Sequence, residues 1–150
     1  MSARSACALV IAAFLALTGL GLAGPARAAT ASHRLDAYRW AAARAGAPYV
    51  YGGTGPGFDC SGLVMMSYLR GAGISLPRTT TEMLGSRHLI RVPAANARRG
   101  DLAFFGTGHV ELRVWRHWTL GALHTGTRVG WRRWYPGSGW QPTAYFRVRR

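Results

Sequence analysis

Hydrophobic positions change their period three times along this chain. Residues 7–24 are almost entirely apolar or glycine. From Ser32 the spacing becomes helical, with Leu35, Tyr38, Ala42 and Ala45 three or four apart. This predicts a helix over 32–44, capped by Ser32 and stopped by Gly46 and Pro48. A glycine-rich loop follows, and a second apolar helix is predicted from Cys60 to about Arg70, ended by Gly71 and Gly73. Leu76-Pro77-Arg78 reads as extended, and Thr79 or Thr80 opens a short helical turn holding Glu82 and Met83. Beyond Pro93 the pattern turns to strands over 102–105, 109–115, 119–124 and 144–148. Helices come early and strands late. That order predicts an α+β fold, amino-terminal helices packed on a small antiparallel β-sheet, rather than a parallel wound sheet.

The apolar run at the start bears on compartment. Residues 1–6 carry Arg4 and no acid, and Pro25-Ala26-Arg27-Ala28 offers the small-x-small pattern of a cleavage site. Residues 1–28 therefore read as a signal peptide cut after Ala28, and 29–150 as one domain, secreted and extracellular or wall-associated. The run is short and glycine-broken for a membrane span, and Cys7 sits at its beginning rather than at a cleavage site, so no stable membrane anchor is expected. All nineteen basic residues are arginines, against five acids. Removing Arg4 and Arg27 with the signal leaves a net charge of +12. Such a charge steers polyanions to the surface, and outside a cell these are anionic wall polymers or lipid head groups rather than nucleic acid. A solvated arginine surface without a partner is the alternative.

Loss of the signal also leaves Cys60 as the sole cysteine, with nothing to pair with internally. At a helix start its sulfur lies near unpaired backbone N–H groups and the positive end of the helix dipole, which favour thiolate over thiol. Asp59 is a helix N-cap, a carboxylate facing substrate, or both. In the run from His109, the apolar Val110, Leu112 and Val114 alternate with His109, Glu111 and Arg113, which puts the histidine and the glutamate on one face. His124, on the next predicted strand, is placed to orient His109 as a third group orients a base. His117 falls in the turn between strands. The five histidines and single mature cysteine show no metal-ligand spacing, so no metal or other cofactor is expected.

Five ordered motifs carry a resemblance: Pro-Tyr-x-Tyr-Gly-Gly from Pro48, Phe-Asp-Cys-Ser-Gly-Leu-Val from Phe58, Leu-Pro-Arg-Thr from Leu76, Arg-Gly-Asp-Leu-x-Phe-Phe from Arg99, and Gly-His-Val from Gly108. Together they resemble the NlpC-type cell-wall cysteine peptidases, papain-like enzymes that cut peptidoglycan stem peptides. The resemblance runs from about Tyr38 to His124. It implies Cys60 as nucleophile, His109 as general base and His124 as the third polar member. Tyr49 matches a tyrosine that helps hold the oxyanion or the substrate, Asp59 and Ser61 match positions contacting the substrate's peptide end, and Arg78 matches a residue of structural role. The implied activity is hydrolysis of stem-peptide amides, typically between γ-D-glutamate and the diamino acid, by a monomer.

The chain departs from that pattern after its histidine. The family usually continues Val-Gly-Ile-Tyr, whereas here Val110-Glu111-Leu112-Arg113 follows. A carboxylate on the face of His109 is expected to raise its pKa or to narrow the cleft. The interval from His109 to His124 is long, and Trp131, Trp134, Tyr135 and Trp140 crowd the end of the chain. Two other classes stay open on these grounds: a weakly active or inactive wall-binding member, and a secreted cationic effector acting on anionic membranes, though no clear amphipathic helix supports the latter.

Overall fold

A computed structural model describes residues 25–150, with side-chain surroundings from residue 31. The apolar run that opens the sequence, with the signal-peptide reading that rests on it, lies outside the described residues. The elements are α1 (Pro25–Ala42), α2 (Cys60–Ala72), α3 (Thr80–Leu84), β1 (Leu89–Val92), a 3-10 turn (Ala94–Asn96), β2 (Leu102–Phe105), β3 (His109–Trp115), β4 (Trp118–Gly121), β5 (Gly130–Arg133) and β6 (Ala144–Val148). The strands form one sheet in the order β1-β6-β2-β3-β4-β5, every neighbouring pair antiparallel.

The α+β expectation holds, with differences at element ends. Helix α1 is already formed at Pro25, where the described residues begin, upstream of the start predicted at Ser32, and the alanine-rich stretch between them favours helix. Ser32 is consequently internal, and its hydroxyl donates to Asp36 at 2.9 Å. Helix α2 starts at Cys60 as predicted, with Asp59 as its N-cap accepting from the Gly62 N–H, and Gly73 in the left-handed region as its C-cap. Thr79 caps α3 in a reciprocal capping box with Glu82.

One face of the sheet buries Leu102, Phe104, Val110, Leu112, Leu120 and Val148 against Ala37, Ala41, Leu63, Val64 and Tyr68 of α1 and α2. Each such large side chain contributes on the order of 1.5–3 kcal/mol by leaving water. A polar knot centred on the fully buried Asp101 reinforces the joint and accounts for Arg-Gly-Asp-Leu. The Asp101 carboxylate accepts from the Arg98 N–H at 2.7 Å and from Arg147 Nε and Nη2 at 3.0 and 2.7 Å, while the Tyr68 hydroxyl donates to the Gly100 carbonyl at 2.7 Å. This ties α2 and β6 to the entry of β2. With the sheet and α2 locked together, the amino end of α2 is held against the start of β3.

Candidate active site

The segment between α1 and α2 is folded onto itself by backbone hydrogen bonds, Val50 N–H to the Phe58 carbonyl, Phe58 N–H to that of Pro48 and Asp59 N–H to that of Gly53. It seats directly on the first turn of α2. At Gly62 a Cβ would overlap the Gly53 carbonyl oxygen, so only glycine permits the approach. Asp59 then holds the corner from both sides. Its Oδ1 accepts from Gly62 N–H at 2.7 Å, and its Oδ2 accepts from Gly52 N–H at 2.9 Å and Arg78 Nη2 at 2.6 Å. Arg78 Nη1 also donates to Ser61 Oγ at 2.9 Å. Asp59, Ser61 and Arg78 form one network flanking Cys60, and Asp59 is the cap the sequence suggested.

Cys60 is partly exposed on a cleft of about 400 Å³ lined by Tyr49, Tyr51, Asp59, Ser61, Arg78, Thr80 and Gly108. Burial works to raise the Cys60 thiol pKa, but hydrogen bonding to His109, that ring's charge and the Val110 backbone N–H outweigh it, and the net shift is downward. His109 shows the complement. Burial works to lower its pKa, yet the bonds to Cys60 and Glu111 and the charge of Glu111 bring it up to about 9. Both shifts favour the same charged pair, thiolate and imidazolium. For Tyr49, burial first and then the neighbouring Cys60 and Asp59 charges push the hydroxyl's pKa up, so it remains a proton-bearing donor on the cleft wall.

The structure places His124, the expected third member, off the strand. The strand predicted over 119–124 ends at Gly121, because the chain leaves the ladder after pairing Gly121 with Gly130. His124 lies instead in an exposed turn, its Nδ1 2.8 Å from the Thr125 carbonyl oxygen and its backbone N–H donating to Thr127 Oγ1. The ring of His109 is met by Glu111, whose Oε1 lies 3.1 Å from Nε2. That bond leaves Nδ1 as the nitrogen for Cys60. Glu111 is wholly buried, and Arg132 Nη1 on β5 donates to the same Oε1 at 2.7 Å. His109 is itself only 8% exposed, with Phe105 edge-on at 5.5 Å and Trp140 tilted at 5.2 Å, and Trp140 stacks on Phe105 at 4.8 Å. His117 packs on Trp134 at 4.6 Å. Among the described residues no group of three His, Cys, Asp or Glu is arranged to hold a metal ion.

A thiol at a helix start and a proton-bearing tyrosine on one cleft, with a buried histidine beside the thiol, match the chemistry implied by the five sequence motifs. The family model described as NlpC/P60 family matches residues 46–150. The chain belongs to the NlpC/P60 family. It is 47% identical over 85 residues to the probable endopeptidase YafL of Escherichia coli (strain K12), a match covering 55% of this chain and 30% of the relative. Among solved structures, the peptidoglycan hydrolase RipB of Mycobacterium tuberculosis superposes with a TM-score of 0.66 at 28% identity, covering 88% of this chain and 76% of that one. The Resuscitation Promoting Factor Interacting protein RipA superposes with a TM-score of 0.69 at 27% identity, over 81% of this chain and 64% of that one. The fold is thus that of NlpC/P60 domains. This chain spans 18 to 53% of the length of the curated relatives YafL, CwlT, MepH and RipB.

RipA has been solved as variants at a cysteine, a histidine and a glutamate. Its cysteine and histidine are as far apart in sequence as Cys60 and His109 are here. Its glutamate, counted on from the histidine by the same rule, falls at the position of Gly121. The sequence placed Glu111 on the face of His109, where it would raise the histidine's pKa or narrow the cleft; the first of these is what the structure shows. Sequence reasoning missed Arg132, since nothing in the run Trp131-Arg132-Arg133 shows which arginine turns inward.

Proposed function

We propose that this NlpC/P60 chain is a secreted cysteine endopeptidase that hydrolyses amide bonds in peptidoglycan stem peptides, between γ-D-glutamate and the diamino acid. The observation that carries the reading is the pairing of the lone helix-start thiol of Cys60 with a buried His109 held protonated to about 9. The names of the relatives, endopeptidase and peptidoglycan hydrolase, support the substrate class.

In this mechanism the Cys60 thiolate attacks the amide carbonyl, forming a C–S bond. Negative charge develops on the carbonyl oxygen, where the Cys60 backbone N–H and the Tyr49 hydroxyl are the donors at hand. As the C–N bond breaks, His109 gives its proton to the departing amine. The neutral imidazole then takes a proton from water as its oxygen attacks the thioester, and the C–S bond breaks to release the acid and restore the thiolate–imidazolium pair. Asp59 and Ser61, fixed by Arg78, shape the wall that meets the peptide end of the substrate. The segment 1–28 directs export, the mature domain acts as a monomer, and the arginine surface gathers anionic wall polymers around it.

Digestion of purified peptidoglycan followed by mass analysis of the released fragments tests this. Fragments ending at γ-D-glutamate are expected from the wild type, with Cys60→Ser retaining less than a few per cent of the rate, since a hydroxyl is a far weaker nucleophile than a thiolate at neutral pH. Cleavage that survives Cys60→Ser in a clean preparation, or fragments ending at other bonds, would overturn the nucleophile or the bond respectively.

A further inference from the structure

We infer that Glu111 supplies from β3 the positioning carboxylate for His109 that a side chain at residue 121 would supply from β4, so that positions 111 and 121 form one exchangeable site clamped by Arg132. The inference rests on the cysteine-hydrolase reading above. It begins with register. Leu112 pairs with Leu120 and Arg113 with Thr119, so one further step sets Glu111 opposite Gly121, where directly opposed residues project to the same face.

The two positions also compete for one volume. A Cβ built on Gly121 would lie 2.5 Å from Glu111 Cγ and 2.7 Å from both Cδ and Oε1. Nothing in the backbone demands glycine there. Gly121 is not among the residues with positive φ, and it pairs regularly with Gly130 in the β4–β5 ladder. Glycine inside a strand weakens it, and commonly marks a place where another group must come close. Here that group is the Glu111 carboxylate.

Two further observations agree. Arg132 reaches both positions, Nη1 to Glu111 Oε1 at 2.7 Å and Nη2 to the Gly121 carbonyl at 3.4 Å, so its guanidinium is placed to hold a carboxylate arriving from either strand. The RipA glutamate counts onto residue 121, which is the arrangement expected if the same task is done there from the neighbouring strand. The Glu111 Oε2 atom is buried without a hydrogen-bond partner, a cost that a merely structural carboxylate would be expected to avoid.

The test is a set of variants of the full chain, E111G, G121A, E111G/G121E and E111Q. Each is followed by peptidoglycan cleavage, by the rate of Cys60 alkylation with iodoacetamide at pH 7, and by thermal melting. E111G is expected to lose roughly tenfold or more in both rates, because an unsupported imidazolium no longer holds the thiolate. G121A in the presence of Glu111 is expected to lose about fivefold or more by displacing the carboxylate. E111G/G121E is expected to regain about tenfold over E111G in both readouts. A folded E111G/G121E no faster than E111G, or a G121A indistinguishable from wild type, overturns the inference. Should E111G or the double variant melt below the assay temperature, E111Q decides: it keeps size and contacts, and an alkylation rate equal to wild type overturns the positioning role. If the wild type itself leaves peptidoglycan uncut, the proposed function fails, while the order of alkylation rates still decides the role of Glu111.

Discussion

The charged state of the Cys60–His109 pair sets a pH window for activity that the structure bounds on its alkaline side. His109 is brought from its ordinary 6.5 to about 9, which corresponds to about 3 kcal/mol in favour of the imidazolium. Because the shift is upward, the proton that the leaving amine needs is present throughout the neutral range and is lost only as pH rises through about 9. The Cys60 shift is downward, so thiolate appears below the ordinary thiol range. Cleavage is therefore expected to fall with an alkaline limb near 9, and on the acid side as the Cys60 thiolate takes up its proton below the ordinary thiol range. Replacing Glu111 by Gln keeps the shape of the site and removes one of the two anions beside the ring. An opposite charge at this range accounts for roughly one to three pH units, so the alkaline limb of E111Q is expected to fall from near 9 to about 6 to 8. The acid side moves the other way. With the imidazolium less favoured, the thiolate loses its counter-ion, and the midpoint of the iodoacetamide rate against pH rises. The assay is initial rates of stem-peptide release and of Cys60 alkylation from pH 5 to 10 at constant ionic strength. An E111Q protein whose alkaline limb coincides with that of the wild type would refute the view that the Glu111 charge holds His109 protonated.

Two other expectations follow from placement and charge. His124→Ala is expected to cleave within about twofold of wild type, because the ring is exposed and its Nδ1 faces the Thr125 carbonyl; a loss beyond tenfold, measured on the same peptidoglycan, would return His124 to the site. Retention on whole cell walls is expected to fall steeply as salt rises from low to about 0.5 M, since the attraction comes from exposed arginines and is screened over roughly 10 Å or less; binding that ignores salt would point to a specific pocket instead.

What could be read from the sequence divides along a physical line. Local chemistry was legible: the apolar run behind Asp59 and Cys60 dictates a capped helix start, and the alternation after His109 dictates a strand with its histidine and glutamate on one face. Pairing between strands was not. The extent of β4 depends on where Gly121 finds Gly130, a partner in a strand with too few apolar residues to announce itself, and β1 is short and half exposed for the same reason. His124 was assigned because a chain run on in strand geometry would bring it beside His109, and two or three residues of lost ladder remove it. Whether Glu111 would support His109 or obstruct the cleft stayed open for a related reason. Along one strand a carboxylate two residues from a catalytic histidine is only a neighbour. Its meaning depends on what the adjacent strand leaves empty, and glycine at residue 121, unremarked in a chain with twenty glycines, is the residue that leaves it room. A substitution that appears to damage a site when read along the chain can thus be half of a compensated pair when read across the sheet, where register rather than spacing decides which side chains share a volume.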